Sequence, residues 1–155
     1  MTFDLLDIDF ARAFDHLCRL GLAFVFALPI AWDREASDRS LGLRTFPLVA
    51  MASAGYVLIA QTVLGWESQE HSRIVQGLIT GICFLGGGAI VKQGVSVRGT
   101  ATAASIWSTA AIGAAVAWGR LEIALALSLA TFLPIKWPRS LKDVGHGEAS
   151  ESERE

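Results

Sequence analysis

Apolar residues form five long runs along the chain, and charged residues lie mostly in the short segments between them. Residues 46–66, 74–91 and 101–118 contain no Asp, Glu, Lys, Arg or His. Residues 17–32 are apolar apart from Arg19 near their start, and residues 121–137 form a shorter run with charges near its ends. A bilayer core about 30 Å thick is crossed by about 20 helical residues. The pattern therefore predicts five membrane-spanning segments.

The hydrophobicity of these runs is continuous, whereas the strands of a membrane barrel alternate between apolar and polar residues. We therefore expect an all-α membrane domain over residues 17–137, with five helices. Residues 1–16 mix Asp with Leu, Ile and Phe, which is typical of an interfacial segment. Residues 138–155 contain little that is apolar to bury, so a disordered polar tail is expected.

The positions of Lys and Arg indicate the orientation, because cytoplasmic flanks of membrane helices are enriched in these residues. With the N-terminus outside, four of the 13 basic residues fall at the outer side, namely Arg12, Arg19, Arg73 and Arg120. The other nine fall inside, namely Arg34, Arg39, Arg44, Lys92, Arg98, Lys136, Arg139, Lys142 and Arg154. The distribution predicts an N-out, C-in topology.

Composition narrows the classes of function. The chain has 155 residues, of which 52% are hydrophobic and 18% charged, with a formal net charge of -2. Without a basic excess, nucleic acid is not an expected partner. His16, His71 and His146 are scattered without metal-ligand spacing, and no nucleophile–base pair is evident. We therefore expect no enzymatic activity, and the lipid bilayer is the expected surrounding.

The predicted inner segment after the first helix holds the densest group of charges, which includes Asp33, Arg34, Glu35 and Arg44. Asp33 and Glu35 are candidate ligands for a hydrated Mg²⁺, which proteins commonly bind through one or two carboxylates. Interfacial ion pairing is the favoured alternative, because Arg34 lies between the two acids and competes for them. On the predicted outer side, Glu70 and Arg73 are three residues apart and can pair at the start of the third helix.

Glycines are concentrated in the third apolar run, at Gly77, Gly81, Gly86, Gly87 and Gly88. Small residues allow the backbones of membrane helices to approach closely, so Gly81 and Gly88 are predicted to contact the fourth helix or a second copy of the chain. The alternative is that the triplet at residues 86–88 loosens the helix and offers carbonyl oxygens to an ion, as broken helices do in transporters.

Three hydroxyl-bearing residues, Thr102, Ser105 and Thr109, recur on one face of the predicted fourth helix. They are candidates for lining a polar path across the membrane. The favoured interpretation is that their hydroxyl groups bond to carbonyls of their own helix or to a neighbouring helix.

The order and spacing of these motifs resemble the MgtC/SapB family of bacterial inner-membrane proteins. The resemblance extends from residue 19 to residue 113 and is carried by the segments 19–23, 33–35, 42–45, 81–88, 97–99, 102–107 and 110–113, together with Arg73. The family also includes members with a soluble C-terminal domain, for which we expect no room in this chain.

The resemblance implies a multi-pass protein of the bacterial inner membrane with a role in Mg²⁺ homeostasis or adaptation to low Mg²⁺. It also implies a membrane partner such as the F-type ATP synthase. A homo-oligomer, most simply a dimer, is expected as well, since the glycines of the third helix can pack against a second copy of the chain. Two hypotheses follow: a regulatory module acting on a membrane partner, or a transporter or channel for Mg²⁺ or another cation along the third and fourth helices. In either case we expect no cofactor other than Mg²⁺, as a ligand or a transported ion.

Overall fold

The computed structural model describes residues 9–36, 42–65, 69–93 and 96–134. These residues form five helices and one short hairpin, in the order α1 (Phe10–Glu35), α2 (Thr45–Leu64), α3 (His71–Gly88), β1 (Val91–Gln93), β2 (Ser96–Arg98), α4 (Thr100–Ala117) and α5 (Leu121–Pro134). The structure confirms the predicted all-helical membrane protein. The predicted tail at residues 138–155 lies outside the described residues.

Three of the helices, α1, α2 and α4, are long and apolar enough to cross a membrane. The helix α3 has 18 residues, but polar groups at its start lower its hydropathy. The helix α5 is a shorter apolar helix, and residues 135–137 of the predicted fifth span lie outside the described part. The five predicted runs thus correspond to the five helices, while membrane crossing by α3 and α5 stays a prediction.

The helix α1 extends beyond the predicted first span at both ends. Asp9 caps its start by accepting hydrogen bonds from the backbone N–H groups of Ala11 and Arg12 at 3.1 and 3.2 Å, a common role for Asp. Residues 10–16, predicted as interfacial, are therefore continuous with the apolar run. At the other end the helix continues through Asp33 and Arg34, which the sequence pattern had placed in the loop.

The core of the bundle is formed by α1, α2 and α4, and α4 is the most deeply buried of these. The helices α2 and α4 approach each other closely where Gly113 meets Ala50. A Cβ atom at position 113 would lie 2.8 Å from the Ala50 carbonyl carbon and 3.0 Å from its Cα. Only glycine permits this approach, because no real Cβ comes so near to backbone atoms.

The helices α3 and α5 pack on the outside of this core. In α3 only Ile82 and Gly86 are buried. The helix α5 buries Ala124 and Ser128, and the Ser128 hydroxyl donates a hydrogen bond of 2.8 Å to the Phe26 carbonyl of α1. This bond satisfies a polar group that would otherwise face apolar surroundings.

The connection between α3 and α4 contains an antiparallel hairpin that the sequence pattern did not predict. Val91 pairs with Arg98, Lys92 with Val97, and Gln93 with Ser96. The hairpin leads into α4 through Gly99, whose φ of +92° is a left-handed conformation that favours glycine. Gly99 also lies against the backbone carbonyl of Ala89, which follows α3.

The two ends of the bundle hold different polar groups. One end, here the Ala117 end, contains the start of α1 and the ends of α2 and α4, which meet at the Ala117 carbonyl. The opposite end, here the hairpin end, contains the end of α1, the start of α2 and the hairpin. Because successive helices alternate in direction, α3 and α5 start at the Ala117 end.

Candidate functional site

Asp33 and Arg34 form a buried ion pair in the last turn of α1, at the hairpin end. Their side chains are 4% and 6% exposed, and an Arg34 Nη2 to Asp33 Oδ2 distance of 3.5 Å joins them. The separation exceeds the 2.7–2.9 Å typical of a tight charge-assisted hydrogen bond. Removal of one partner of a buried ion pair leaves the other charge uncompensated and is destabilising, so these residues depend on each other. The favoured interpretation of ion pairing is confirmed for Asp33.

Glu35 has a different task, which is to hold the start of α2. Its Oε2 accepts a hydrogen bond of 3.0 Å from the Leu43 N–H, while the Gly42 carbonyl accepts from Thr45 and Phe46. A carboxylate near the start of a helix is also favoured by the helix dipole. The arrangement requires Gly42, since a Cβ there would collide with the Glu35 carboxylate and lie 2.9 Å from its Cα.

The carboxylates of Asp33 and Glu35 thus contact different protein groups. Asp33 is buried against Arg34, whereas Glu35 is exposed and faces the Leu43 N–H. Among the described residues there is no group of three His, Cys, Asp or Glu side chains that could hold a metal ion. Both acids contact protein groups, and their role as ligands of a hydrated Mg²⁺ stays a prediction.

The remaining predicted charges divide between the two ends. Arg44 is exposed and directly precedes α2 without making a side-chain cap. Glu70 and Arg73 pair at 3.3 Å at the start of α3, which confirms the expected contact. Both side chains are largely exposed, and such pairs contribute about 0–1 kcal/mol. Because α3 starts at the Ala117 end, the structure does not bring this pair together with Asp33, Arg34, Glu35 and Arg44.

The hydroxyl face of α4 is fully buried. Thr102, Ser105 and Thr109 are 2%, 1% and 0% exposed. Ser105 Oγ donates to the Ala101 carbonyl and Thr109 Oγ1 donates to the Ser105 carbonyl, each at 2.7 Å. The predicted bonding of hydroxyl groups to their own helix is confirmed for these two residues. Thr102 Oγ1 has no hydrogen-bond partner among the described residues.

The surroundings of the glycines in α3 differ from the close helix contacts that the sequence predicted. A Cβ at Gly77, Gly81, Gly87 or Gly88 would meet nothing within 4 Å in the described part of the chain, and only Gly86 approaches α4, near Ala103. The predicted close contact of Gly81 and Gly88 with the fourth helix is therefore wrong within one chain, because α3 lies at the periphery. Contact with a second copy stays a prediction.

The triplet at residues 86–88 does not break the helix. The helix α3 continues through Gly88. The carbonyls of Leu85 and Gly86 accept hydrogen bonds from the Ala89 N–H, and the Gly87 carbonyl accepts one from the Ile90 N–H. Each of these three carbonyls therefore has a protein partner. A loosened helix that offers the carbonyls of Gly86 and Gly87 to an ion is not observed.

A cluster at the Ala117 end was not predicted from the sequence. Arg19 Nη1 and Gln61 Nε2 both donate to the Ala117 carbonyl, at 2.8 and 3.3 Å, and Arg19 Nε also donates to Asp15 at 2.8 Å. The sequence placed Arg19 only near the start of the first apolar run, at the predicted outer side. The available signals were an Arg inside an apolar run and Gln61 as an amide in a charge-free one.

Comparison with known proteins agrees with the resemblance in the motifs. The model of the MgtC family matches residues 20–143. Protein MgtC of Salmonella typhimurium is 34% identical over 116 residues, which are 75% of this chain and 49% of that protein. Protein SrpB of Synechococcus elongatus is 35% identical over 138 residues, covering 81% of this chain and 76% of SrpB.

An uncharacterized protein of Synechocystis is 39% identical over 99 residues, which are 64% of this chain and 42% of that protein. The chain thus spans about half the length of the Salmonella and Synechocystis relatives. No solved structure matches. The family match covers most of the chain, including the buried pair at residues 33–34, the glycines of α3 and the hydroxyl face of α4, and the chain therefore belongs to the MgtC family.

Proposed function

We propose that this protein acts in Mg²⁺ homeostasis or in adaptation to low Mg²⁺, as a non-enzymatic regulator of a membrane partner in the bacterial inner membrane. The Mg²⁺ link rests on the family resemblance. The observation that favours regulation over transport is the placement of charge. Among the described residues, only two charged side chains are buried, Asp33 and Arg34, and they neutralise each other at one end of the bundle.

Coupled transporters normally hold ionisable groups at membrane depth, where these groups bind the moving ion. Of the side chains described, the buried ones between the two ends are apolar or carry hydroxyl groups, and two of the hydroxyl groups on α4 are bonded to their own helix. This interior is suited to rigid packing of α1, α2 and α4. The polar surface available to a partner then lies at the ends of the bundle, with Arg44 exposed at the hairpin end.

Growth of a strain lacking the protein, complemented at limiting Mg²⁺, tests this proposal. Arg34→Lys keeps the charge but loses the planar fork that holds two acceptors, so we expect it to fail to rescue growth at wild-type membrane abundance. Arg44→Lys is expected to fail as well, through loss of the partner contact. Arg12→Lys, at an exposed position paired with Asp9, is the matched control. Full rescue by both the Arg34 and Arg44 variants would contradict the proposal.

The F-type ATP synthase is the partner that the resemblance suggests. ATP-driven proton pumping by inverted inner-membrane vesicles should fall when the protein is present and recover with the Arg44 variant. Pumping that is equal with and without the protein would exclude this partner.

We further propose a homodimer, for which the open surface beside Gly87 on α3 leaves room. Cross-linking in native membranes would detect it.

A cation pathway is the second candidate, and one observation favours it. Thr102 Oγ1 is buried without a hydrogen-bond partner among the described residues, on the same face as Ser105 and Thr109. Flux of Mg²⁺ into proteoliposomes separates the two functions. The regulatory proposal requires flux equal to that of protein-free vesicles, whereas a pathway requires flux that depends on Thr102.

A further inference from the structure

An open groove lies on each side of the helix α3. One groove lies between α2 and α3, and the other lies between α3 and α5. The α2–α3 groove has a volume of about 660 Å³ and includes Leu48, Leu78 and Gly81 in its walls. The α3–α5 groove, with α4 at its base, has a volume of about 370 Å³ and includes Ile79 and Leu127. Both volumes fall within the range of about 300–1,000 Å³ that is common for small-molecule sites.

Each groove carries one charged residue among those that line it, and in both cases this residue is an arginine. Arg73 lies in the first turn of α3 and lines the α2–α3 groove. Arg120 directly precedes α5, shortly after the end of α4, and lines the α3–α5 groove. Both arginines therefore lie at the Ala117 end. The rest of each groove is almost entirely apolar.

An aromatic residue also lines each groove. Tyr56, near the middle of α2, is 62% exposed and lines the first groove, and Trp118, which directly follows α4 at the Ala117 end, lines the second. Trp is enriched at the level of the lipid headgroups, where Arg also contacts phosphate. Each groove thus combines an apolar channel with an arginine at the Ala117 end.

We propose that each groove binds one phospholipid of the leaflet at the Ala117 end, with its acyl chains along α3 and its phosphate against Arg73 or Arg120. The planar guanidinium offers paired donors that match two phosphate oxygens. This inference is independent of the proposed role in Mg²⁺ homeostasis.

The charge at the grooves also argues against a second copy of the chain as occupant. A two-fold axis along the membrane normal brings the same surface of both copies together at equal depth. The largely exposed Arg73–Glu70 pair would then be taken out of water at the interface, and the desolvation cost of a buried ion pair can exceed its attraction. A lipid phosphate supplies the opposite charge.

Glu70 affects the first groove because it pairs with Arg73 at 3.3 Å. Since both side chains are largely exposed, this pair is weak and a phosphate can compete for the guanidinium. The Glu70 carboxylate nevertheless repels a phosphate, so Glu70→Gln should tighten lipid binding.

Native mass spectrometry of the delipidated full chain in detergent tests the proposal, with dioleoyl phosphatidylglycerol as the probe and dioleoylglycerol, which lacks the phosphate, as the control ligand. The wild-type chain should bind two phospholipids. Gly81→Leu should bind one, because the new side chain fills the α2–α3 groove. A Cβ at position 81 meets nothing within 4 Å, so the variant should fold. Gly21→Leu, equally open but outside both grooves, should retain two.

Arg73→Gln provides a second measurement that leaves the groove open. It should weaken one of the two binding events by about fivefold, the contribution of one basic residue near an anionic lipid surface. The proposal is overturned if Gly81→Leu binds as many phospholipids as the wild type, or if dioleoylglycerol binds as well as phosphatidylglycerol. It is equally overturned if the wild type is a dimer that excludes lipid and Gly81→Leu makes it monomeric, since the groove would then be a protein interface.

Discussion

Arg19 in α1 and Ala117 at the end of α4 are 98 positions apart in the chain, yet the Arg19 guanidinium donates a hydrogen bond of 2.8 Å to the Ala117 carbonyl. The last carbonyls of a helix have no partner within the helix. A cation is also favoured there by the helix dipole. Gln61 of α2 donates to the same oxygen, so a single carbonyl joins the three core helices.

Replacement of Arg19 should therefore loosen the Ala117 end. Arg19→Gln is expected to lower the free energy of unfolding by about 1.5 kcal/mol, at the lower limit for a hydrogen bond to a charged group because Arg19 is partly exposed. Thermal unfolding in detergent measures the change. Arg12→Gln, which removes an exposed ion pair with Asp9, is the control and should leave the melting temperature nearly unchanged. Equal melting of all three proteins would show that the Ala117 contact is not stabilising.

The close contact of α2 with α4 gives the second prediction. Gly113→Ala should destabilise the protein by about 1–3 kcal/mol, because the added methyl group overlaps the Ala50 backbone and overpacked cores lose about this much. Gly55→Ala in α2 is the matched control, since a Cβ there meets nothing within 4 Å. Thermal melting and the yield of folded protein in detergent should fall for Gly113→Ala alone. If both variants melt like the wild type, α2 and α4 do not pack as described.

The outline of the fold was predictable because continuous apolar runs report directly on membrane helices. Helix packing was not predictable in the same way. Glycines occur in both α3 and α4, and composition does not distinguish Gly113, which meets a backbone, from Gly81, which meets open space. The difference depends on the position of each helix in the bundle, and that position depends on contacts distant in sequence, such as the one between Arg19 and Ala117.

Gly99 gives the third prediction. Its φ of +92° strains any other residue, and a side chain would also collide with the Ala89 carbonyl. Gly99→Ala should therefore cost at least about 1–2 kcal/mol, the penalty for a left-handed conformation at a non-glycine residue. Gly21→Ala, on the open side of α1, serves as the control. Faster proteolysis at the hairpin end in Gly99→Ala than in Gly21→Ala would support the prediction, and equal rates would refute it.

The candidate site was predictable in part. The segment at residues 33–35 was identified because three charges in succession interrupt an apolar pattern. The separate tasks of Asp33 and Glu35 were not predictable, since they depend on α1 continuing through Glu35 and on the approach of Gly42. The sequence around Glu35 does not distinguish a carboxylate that accepts a hydrogen bond from the Leu43 N–H from a carboxylate that binds a metal ion.

Membrane orientation is the fourth prediction. The hairpin end, which contains Arg34, Arg44, Lys92 and Arg98, should face the cytoplasm, because nine of the 13 basic residues fall on that side in a five-span topology. A topology reporter fused after Leu141 should give the activity of a protein located in the cytoplasm. The same reporter fused at the loop that precedes α3 should have the periplasmic phenotype. A periplasmic signal after Leu141 would mean that α5 does not cross the membrane or that the orientation is the reverse of the predicted one.

The hydroxyl face of α4 gives the last prediction, which separates its structural from its functional role. Thr109→Val keeps the shape of the buried side chain and removes a hydroxyl group that bonds only within its own helix in the described structure. Such bonds add little to stability and tend to bend helices. We therefore expect melting within about 1 kcal/mol of the wild type and full growth at limiting Mg²⁺. Thr102→Val is the second variant to compare. Thr102 Oγ1 is buried without a hydrogen-bond partner among the described residues, so its removal relieves a desolvation cost and should not lower the stability of the protein. If Thr109→Val folds normally but fails to support growth, the hydroxyl group is needed for function, and a cation pathway along α4 then accounts for the result better than regulation does.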